Sequence, residues 1–170
     1  TALGIPNAHP AWYCVVLMNT TRAELVEKAT HNIDEILSVE IEHDASQKAL
    51  VIYDTDNELI SMLTEAYREV LPEAEFIDFN TRTKEEIIAA FDTLSPRDLV
   101  VLIQTNDFRL NDFRIRIQLF QRELKVVDHR HLYRNPPETW NTYMNALAYD
   151  QHWYRGPRSR RKEKLASAQR

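Results

Sequence analysis

Two groups of polar side chains follow apolar runs of the sequence and carry the chemistry for binding a ligand. They are Asp54, Thr55 and Asp56 after one run, and Gln104, Thr105 and Asn106 after another. Carboxylates, hydroxyls and amides of this kind hold charged or hydroxylated small molecules. The competing interpretation is helix capping, because Asp, Asn and Thr are also the residues that begin helices. Both interpretations place the two groups at the ends of structural elements.

The stretch Asp128-His129-Arg130-His131 is the most metal-like cluster in the sequence. In an extended strand, His129 and His131 point to the same side. Two imidazoles do not complete a zinc site, which takes three or four ligands. Asp150 and His152 would add ligands, but nothing in the sequence brings them near. We therefore expect a satisfied or solvent-facing histidine pair, and we assign no metal ligand and no catalytic residue to this chain.

The segment "FRIRIQLF", residues 113–120, carries two apolar patterns. Its period of two is typical of a half-buried strand. A second set of apolar residues recurs on one side of a helix: Leu110, Phe113, Ile117, Phe120 and Leu124. A crossover between parallel strands needs about a dozen residues, usually a helix. We therefore predict a helix over 109–123, with this second set facing the core.

The predicted helix leaves Ile115 and Leu119 on the side away from its core stripe, beside Arg114 and Arg116. A second apolar patch on a helix predicts an interface. Either the apolar run 11–18 covers it, or a second copy of the chain does so in a homodimer. The arginines oppose the helix macrodipole near its N-terminus, so they need acidic neighbours or an anionic partner group.

Strands alternate with helical segments between residues 48 and 129. The strands are 48–54, 74–79, 98–104 and 124–129, and the helices between them are 57–71, 83–94 and 109–123. This alternation predicts a four-stranded parallel sheet with helices on both faces, a three-layer α/β sandwich of the Rossmann/flavodoxin-like type. With the strand order 2-1-3-4, the two polar groups meet at the switch point between the first and third strands.

Helix starts are marked by two capping boxes and by tandem prolines. Thr21 with Glu24, and Thr83 with Glu86, have the spacing of an N-cap and its third helical residue. The prolines 136–137 suit the first turn of a further helix. Around these elements we divide the chain into an N-terminal arm (1–18), an α/β domain (19–155) and a basic helix or linker (156–170). The arm's run "AWYCVVLM" fits an edge strand or an early helix.

Composition excludes several classes of function. The chain has 170 residues, of which 44% are apolar, and this suits one domain with a sizeable core. Only two glycines occur, which excludes a P-loop and a G-x-G-x-x-G fingerprint. Residues 1–150 hold 14 Lys/Arg against 25 Asp/Glu, and this acidic body argues against nucleic-acid binding. With a single cysteine, Cys14, and no apolar run near the ~20 residues of a membrane span, we expect a cytoplasmic protein without a membrane segment.

The segment "DLVVLIQTNDFRLNDFRIRIQLFQRELKVVDHRHL", continuing to "YMNALAYDQHWY", resembles the amino-terminal half of aminopeptidase T-like metallo-aminopeptidases, also called leucyl aminopeptidases. "KALVIYDTDNELISMLTEAYREVLPEAEFIDF" looks like that family's opening strand-helix-strand, so the resemblance covers residues 48–155. Members of the family are about twice as long. Their two-metal site of Glu, His, Tyr and Asp ligands lies in the second half. The resemblance therefore implies a fragment, with zinc or cobalt expected only in a missing carboxyl-terminal domain.

From the resemblance we expect a non-catalytic amino-terminal domain of an aminopeptidase-like protein, with a role in assembly or in the access of a peptide substrate. We expect no metal-dependent peptidase activity from this chain alone, although the sequence leaves its enzymatic status open. One alternative is a free-standing ligand-binding module that uses the six loop residues. Another is a protein-interaction module that uses Ile115, Leu119 and the basic tail.

Overall fold

A computed structural model of the chain describes residues 20–109 and 115–150, together with Lys164 and Ser167. The predictions made for the apolar run 11–18, for Arg114 and for the basic tail lie outside these residues. Among the described residues, no helix has the length and apolar character needed to cross a membrane.

Four strands and five α-helices alternate along the described chain. The strands are β1 (Ala49–Tyr53), β2 (Glu75–Asp78), β3 (Leu99–Ile103) and β4 (Lys125–His129). The helices are α1 (Arg22–Glu35), α2 (Glu58–Val70), α3 (Lys84–Asp92), α4 (Ile115–Gln121) and α5 (Trp140–Ala146). The end of α1 continues into a π-helical turn, and two short 3₁₀ turns precede α5: Ile36–Glu40, then Leu132–Arg134 and Pro137–Thr139.

The four strands form one parallel sheet in the order β2-β1-β3-β4. In its centre Val51 lies opposite Val101, and Val101 lies opposite Val127. Each connection between successive strands contains a helix, as parallel pairing requires. The predicted α/β sandwich, with its 2-1-3-4 order and its Rossmann/flavodoxin-like arrangement, is confirmed.

Alternate residues of the strands build two separate cores, one on each face of the sheet. Val51, Val101 and Ile103 pack with α1, α2 and α5 on one face. Leu50 and Leu102 pack with α3 and α4 on the other. Every residue of β3 is buried, because β3 has a strand on each side and helices above and below. Burying one such Leu, Ile or Val side chain stabilises the fold by about 1.5–3 kcal/mol.

Both predicted capping boxes are present. The Thr21 hydroxyl accepts from the Glu24 N–H at 3.3 Å, and the Glu24 carboxylate accepts from the Thr21 N–H at 2.7 Å. Thr83 and Glu86 repeat the arrangement at the start of α3. A cap of this kind contributes about 1 kcal/mol by satisfying N–H groups that the first helical turn leaves unpaired. Pro137 begins the 3₁₀ turn before α5, as the tandem prolines predict.

The face of α4 that packs against the sheet is the opposite of the predicted one. Leu119 is 1% exposed, and Ile115, one turn earlier, packs against the same core. Ile117 and Phe120 are 51% and 53% exposed. The prediction of Ile115 and Leu119 as interface residues is therefore wrong, since both belong to the core beneath α4.

The error has a physical cause at the end of α4. Leu124 is buried, but it lies beyond the helix, because Glu123 adopts a left-handed conformation with φ 59° and reverses the chain. The spacing between Phe120 and Leu124 consequently carries no information about a helical face. The other residues of the predicted stripe, Leu110 and Phe113, lie outside the described residues.

Val126 and Val127 of β4 are half-buried. Strand β4 pairs with β3 on one side, and no described strand lies on its other side. Their partial exposure is the ordinary consequence of an edge position.

Candidate functional site at the carboxyl ends of the strands

Asp54 and Thr105 join the carboxyl ends of the two central strands. One Asp54 carboxylate oxygen accepts from the Thr105 N–H at 2.7 Å, and the other accepts from the Thr105 hydroxyl at 2.8 Å. The second oxygen also accepts from the Asp56 N–H at 3.2 Å. Asp54 is 4% exposed, so these bonds replace the water that its carboxylate loses on burial. The sequence predicts that the polar groups 54–56 and 104–106 lie close together, and the hydrogen bonds between Asp54 and Thr105 form that contact.

Gln104 makes the next connection along the same edge of the sheet. Its side-chain oxygen accepts from the Phe108 N–H at 2.7 Å, and its amide nitrogen donates to Asp128 at 2.5 Å. The Phe108 ring then stacks on Phe79, with 4.1 Å between ring centroids. Gln104 thus fixes the loop after β3 and ties it to the end of β4.

The remaining predicted ligand-binding residues lie closer to solvent. The side chain of Asn80 donates to the Thr55 hydroxyl and to the Asp56 carboxylate, both at 3.3 Å. Asn106 is exposed. Asn57, the residue after the first polar group, caps α2 by accepting from the Leu59 N–H at 2.7 Å.

His129 is buried between two tyrosines. Its Nε2 lies 2.8 Å from the Tyr67 hydroxyl, and its Nδ1 lies 2.8 Å from the Tyr143 hydroxyl. A neutral imidazole has one donor and one acceptor nitrogen, so one tyrosine accepts and the other donates. Burial lowers the pKa of His129 to about 4 and raises the pKa of both tyrosines. All three side chains are therefore neutral at physiological pH.

A cluster of ion pairs lies at the outer side of β4's carboxyl end. Arg130 donates to both carboxylate oxygens of Asp107, at 3.0 and 2.6 Å. His131 lies 3.7 Å from the same carboxylate, and Arg116 lies 3.5 Å from Asp128. The hydrogen bond from Arg130 lowers the pKa of Asp107. Burial raises the pKa of Asp128, an effect that Gln104 and the two arginines partly offset.

The predicted histidine pair thus divides between two environments. His129 is satisfied in the core, and His131 faces solvent beside Asp107. This confirms the interpretation of the pair as satisfied or solvent-facing. Arg116, one of the predicted interface residues, has its acidic neighbour in Asp128 rather than in a residue of its own helix. Among the described residues, no group of three or more His, Cys, Asp or Glu side chains is arranged to hold a metal ion.

A groove of about 550 Å³ runs beside the start of α2. Its lining includes Asp54, Thr55, Asp56, Thr64 and Arg68. Thr64 is 6% exposed, and its hydroxyl has no hydrogen-bond partner among the described residues. The hydroxyl oxygen is inaccessible to solvent, so it is an unpaired buried group that costs the fold about 1–3 kcal/mol, and a molecule in the groove does not reach it.

A larger cavity of about 810 Å³ lies at the opposite edge of the sheet, and Asp34, His43 and Glu75 are among its lining residues. This edge carries the amino ends of the strands, whereas ligands of open parallel sheets bind at the carboxyl ends. We therefore place the candidate site at the carboxyl ends, around Asp54 and Gln104.

No family model matches the sequence, and neither the curated proteins nor the solved structures yield a match.

Sequence reasoning missed the two tyrosines that hold His129. Tyr67 fits the apolar stripe of α2, and Tyr143 fits that of α5, so each has the pattern of an ordinary core residue. The available signal was the polar hydroxyl at each position. A buried tyrosine hydroxyl needs a hydrogen-bond partner, and a buried histidine at the end of a strand can provide one.

Proposed function

We propose that this chain is a non-catalytic α/β domain of a metallo-aminopeptidase that resembles aminopeptidase T, with a role in assembly or substrate access. In this proposal the metals and the hydrolysis belong to another domain. The chain supplies a rigid surface at the carboxyl ends of its strands, against which that domain or its peptide substrate lies.

The observation that carries the proposal is the mutual hydrogen bonding of the polar groups at the switch point. Asp54 is hydrogen-bonded to Thr105, and Gln104 is hydrogen-bonded to Asp128. His129 is hydrogen-bonded to two tyrosines. A binding site keeps such groups available for a ligand, whereas a structural edge uses them to hold its loops. The exposed ion pair between Arg130 and Asp107 lies on this edge and gives it fixed charges for a polar contact.

A second candidate function is a free-standing ligand-binding module. The groove beside α2 supports it, because three of the predicted ligand-binding residues, Asp54, Thr55 and Asp56, line it. The ligand would be a small hydroxylated or cationic molecule, matching the hydroxyls and carboxylates of the lining.

The stability of an Asp54→Asn variant distinguishes the two functions. An asparagine provides one acceptor oxygen where the carboxylate provides two. In either orientation of the amide, the N–H of Thr105 or of Asp56 loses its acceptor. If the carboxylate is structural, the free energy of unfolding in urea should fall by about 1–3 kcal/mol.

Asp56→Asn is the matched control, because Asp56 is exposed in the same loop and, among the described residues, its carboxylate accepts only a long bond from Asn80. We expect its effect to stay within about 0.5 kcal/mol. Groups kept ready for a ligand often lower the stability of the free protein. An Asp54→Asn variant at least as stable as the parent would therefore reject the structural role and favour the ligand-binding module.

A further inference from the structure

The outer edge of β4 is open in the described part of the chain. Lys125 N–H donates to Asp98 of the neighbouring segment, and His129 C=O accepts from Gln104 N–H, so these two residues face β3. Backbone groups of successive strand residues point alternately to the two sides of a strand. The amides of Val126 and Asp128 therefore face away from β3, toward the open edge. Exposed edges of this kind are normally paired, covered or charged.

An apolar side chain on α4 projects over the same edge. Arg116 reaches Asp128 of β4, whereas Arg122, directly after the helix, reaches Asp92 of α3. Phe120 lies one turn from Arg116 and so shares its flank, on the side of β4. It is 53% exposed. An additional element beside β4 would cover Phe120.

Helix α1 begins at the carboxyl ends of the strands. Arg22, its first residue, donates to Glu58 at 2.7 Å, and Glu58 begins α2 directly after the loop that follows β1. Further along, Thr30 donates to Glu69 near the end of α2, so the two helices run in the same direction. The segment that precedes Thr21 therefore reaches α1 at the carboxyl edge of the sheet. A strand ending there would run parallel to β1–β4.

The handedness of the crossovers selects the edge that such a strand would join. The connection from β1 to β2 moves toward the β2 edge with its helix on the α1/α2/α5 face. The connections to β3 and then to β4 move the other way, with α3 and α4 on the opposite face. All three thus share one hand, and nearly all such connections are right-handed.

Helix α1 leads into β1 on the same face as α2. To keep that hand, the strand before α1 must lie on the β4 side of β1. The positions beside β1 and β3 are already occupied, so the position left on that side is the one beyond β4. A strand beside β2 would give a crossover of the opposite hand.

We infer that residues 12–18, "WYCVVLM", form a fifth parallel strand beside β4, so that the sheet order becomes β2-β1-β3-β4 followed by this strand. The run contains no Gly, Pro or charged residue and is rich in β-branched and aromatic side chains. Two residues, Asn19 and Thr20, then connect it to the N-cap Thr21, a usual length for a strand-to-helix loop. This inference is independent of the proposed function, because it concerns the chain's own sheet.

The test is amide hydrogen exchange of the full chain followed by NMR. With the strand in place, the amides of Val126 and Asp128 should be protected. Val15→Pro, in the middle of the run, should make these two amides exchange about 100-fold faster, because proline breaks strand pairing. Ala8→Pro, outside the run, is the matched control and should leave both rates unchanged.

Nuclear Overhauser contacts in the unsubstituted chain provide a readout that does not depend on how a variant folds. We expect contacts from the Val126 and Asp128 amides to backbone protons of residues 12–18. In a mixture of isotope-labelled and unlabelled protein, these contacts should be intramolecular. Unprotected Val126 and Asp128 amides, contacts to β2 instead, or contacts only between molecules would each overturn the inference.

Discussion

At the scale of single residues, the described chain uses its most chemically active groups to hold the ends of the strands together. His129 shows this most clearly. A histidine free to act as a general base has a pKa near neutrality, whereas burial lowers the pKa of His129 to about 4. Its two nitrogens contact tyrosines from α2 and α5, so the imidazole joins three elements on one face of the sheet.

This arrangement predicts a specific loss of stability in acid. In the unfolded chain the imidazole takes up a proton near pH 6.5, but in the folded chain only near pH 4. Between these values the unfolded state binds more protons, so the contribution of His129 is fully present above pH 6.5 and is lost as the pH falls toward 4. The loss amounts to about 3 kcal/mol in the free energy of unfolding.

Urea unfolding at several pH values, combined with an NMR titration of the imidazole, measures this effect. His131→Ala provides the control, since it leaves His129 and its two tyrosine contacts in place and should not change the NMR titration of the His129 imidazole. A His129 imidazole that titrates near pH 6.5 in the folded protein would show that the two tyrosines do not enclose it.

At the scale of elements, α4 illustrates how two apolar periodicities compete for one helix. The segment offers Ile115 and Leu119 on one side and Ile117 and Phe120 on another. The helix packs through the first pair, and the left-handed residue Glu123 then turns the chain so that Leu124 enters the core separately. Sequence spacing alone does not reveal where the helix ends, and the face cannot be assigned without that end.

Two alanine variants measure which face is buried. Leu119→Ala should lower the free energy of unfolding by about 2–5 kcal/mol, because it leaves a cavity beneath α4. Ile117→Ala, two residues away on the exposed side, should change it by less than about 1 kcal/mol. If Ile117→Ala lowered the free energy of unfolding as much as Leu119→Ala, or more, the buried face of α4 would be the one predicted from the sequence.

The prediction of elements from sequence succeeded where local rules are strong. Both capping boxes, the four strands and their order followed from side-chain spacing and from the requirement that parallel strands be joined by crossovers. The partners of His129 were not predictable, because Tyr67 lies 62 positions away and the contact depends on how α2 packs. Likewise, the sequence predicts that Asp54 and Thr105 lie at the same switch point. Their hydrogen bonds depend on the conformations of the two loops, which side-chain spacing does not specify.

At the scale of the whole molecule, helices cover both faces of the sheet, and polar side chains join the carboxyl ends of its strands. Every residue of β3 and the three middle residues of β1 are buried, and Asp54, Gln104 and His129 join the polar ends of the strands through hydrogen bonds. A fifth strand beside β4 would complete the sheet on its open side. The proposed function treats this unit as a support for a catalytic domain elsewhere in a longer polypeptide.

The most direct test of that proposal is the size of the native polypeptide. An antibody raised against this chain, used on a denaturing blot of cells that express it, should detect a protein about twice the 20.0 kDa of the sequence. Mass spectrometry of that band should find peptides beyond Arg170 that include Glu and His residues suited to a metal pair. A band at 20.0 kDa would contradict the proposal.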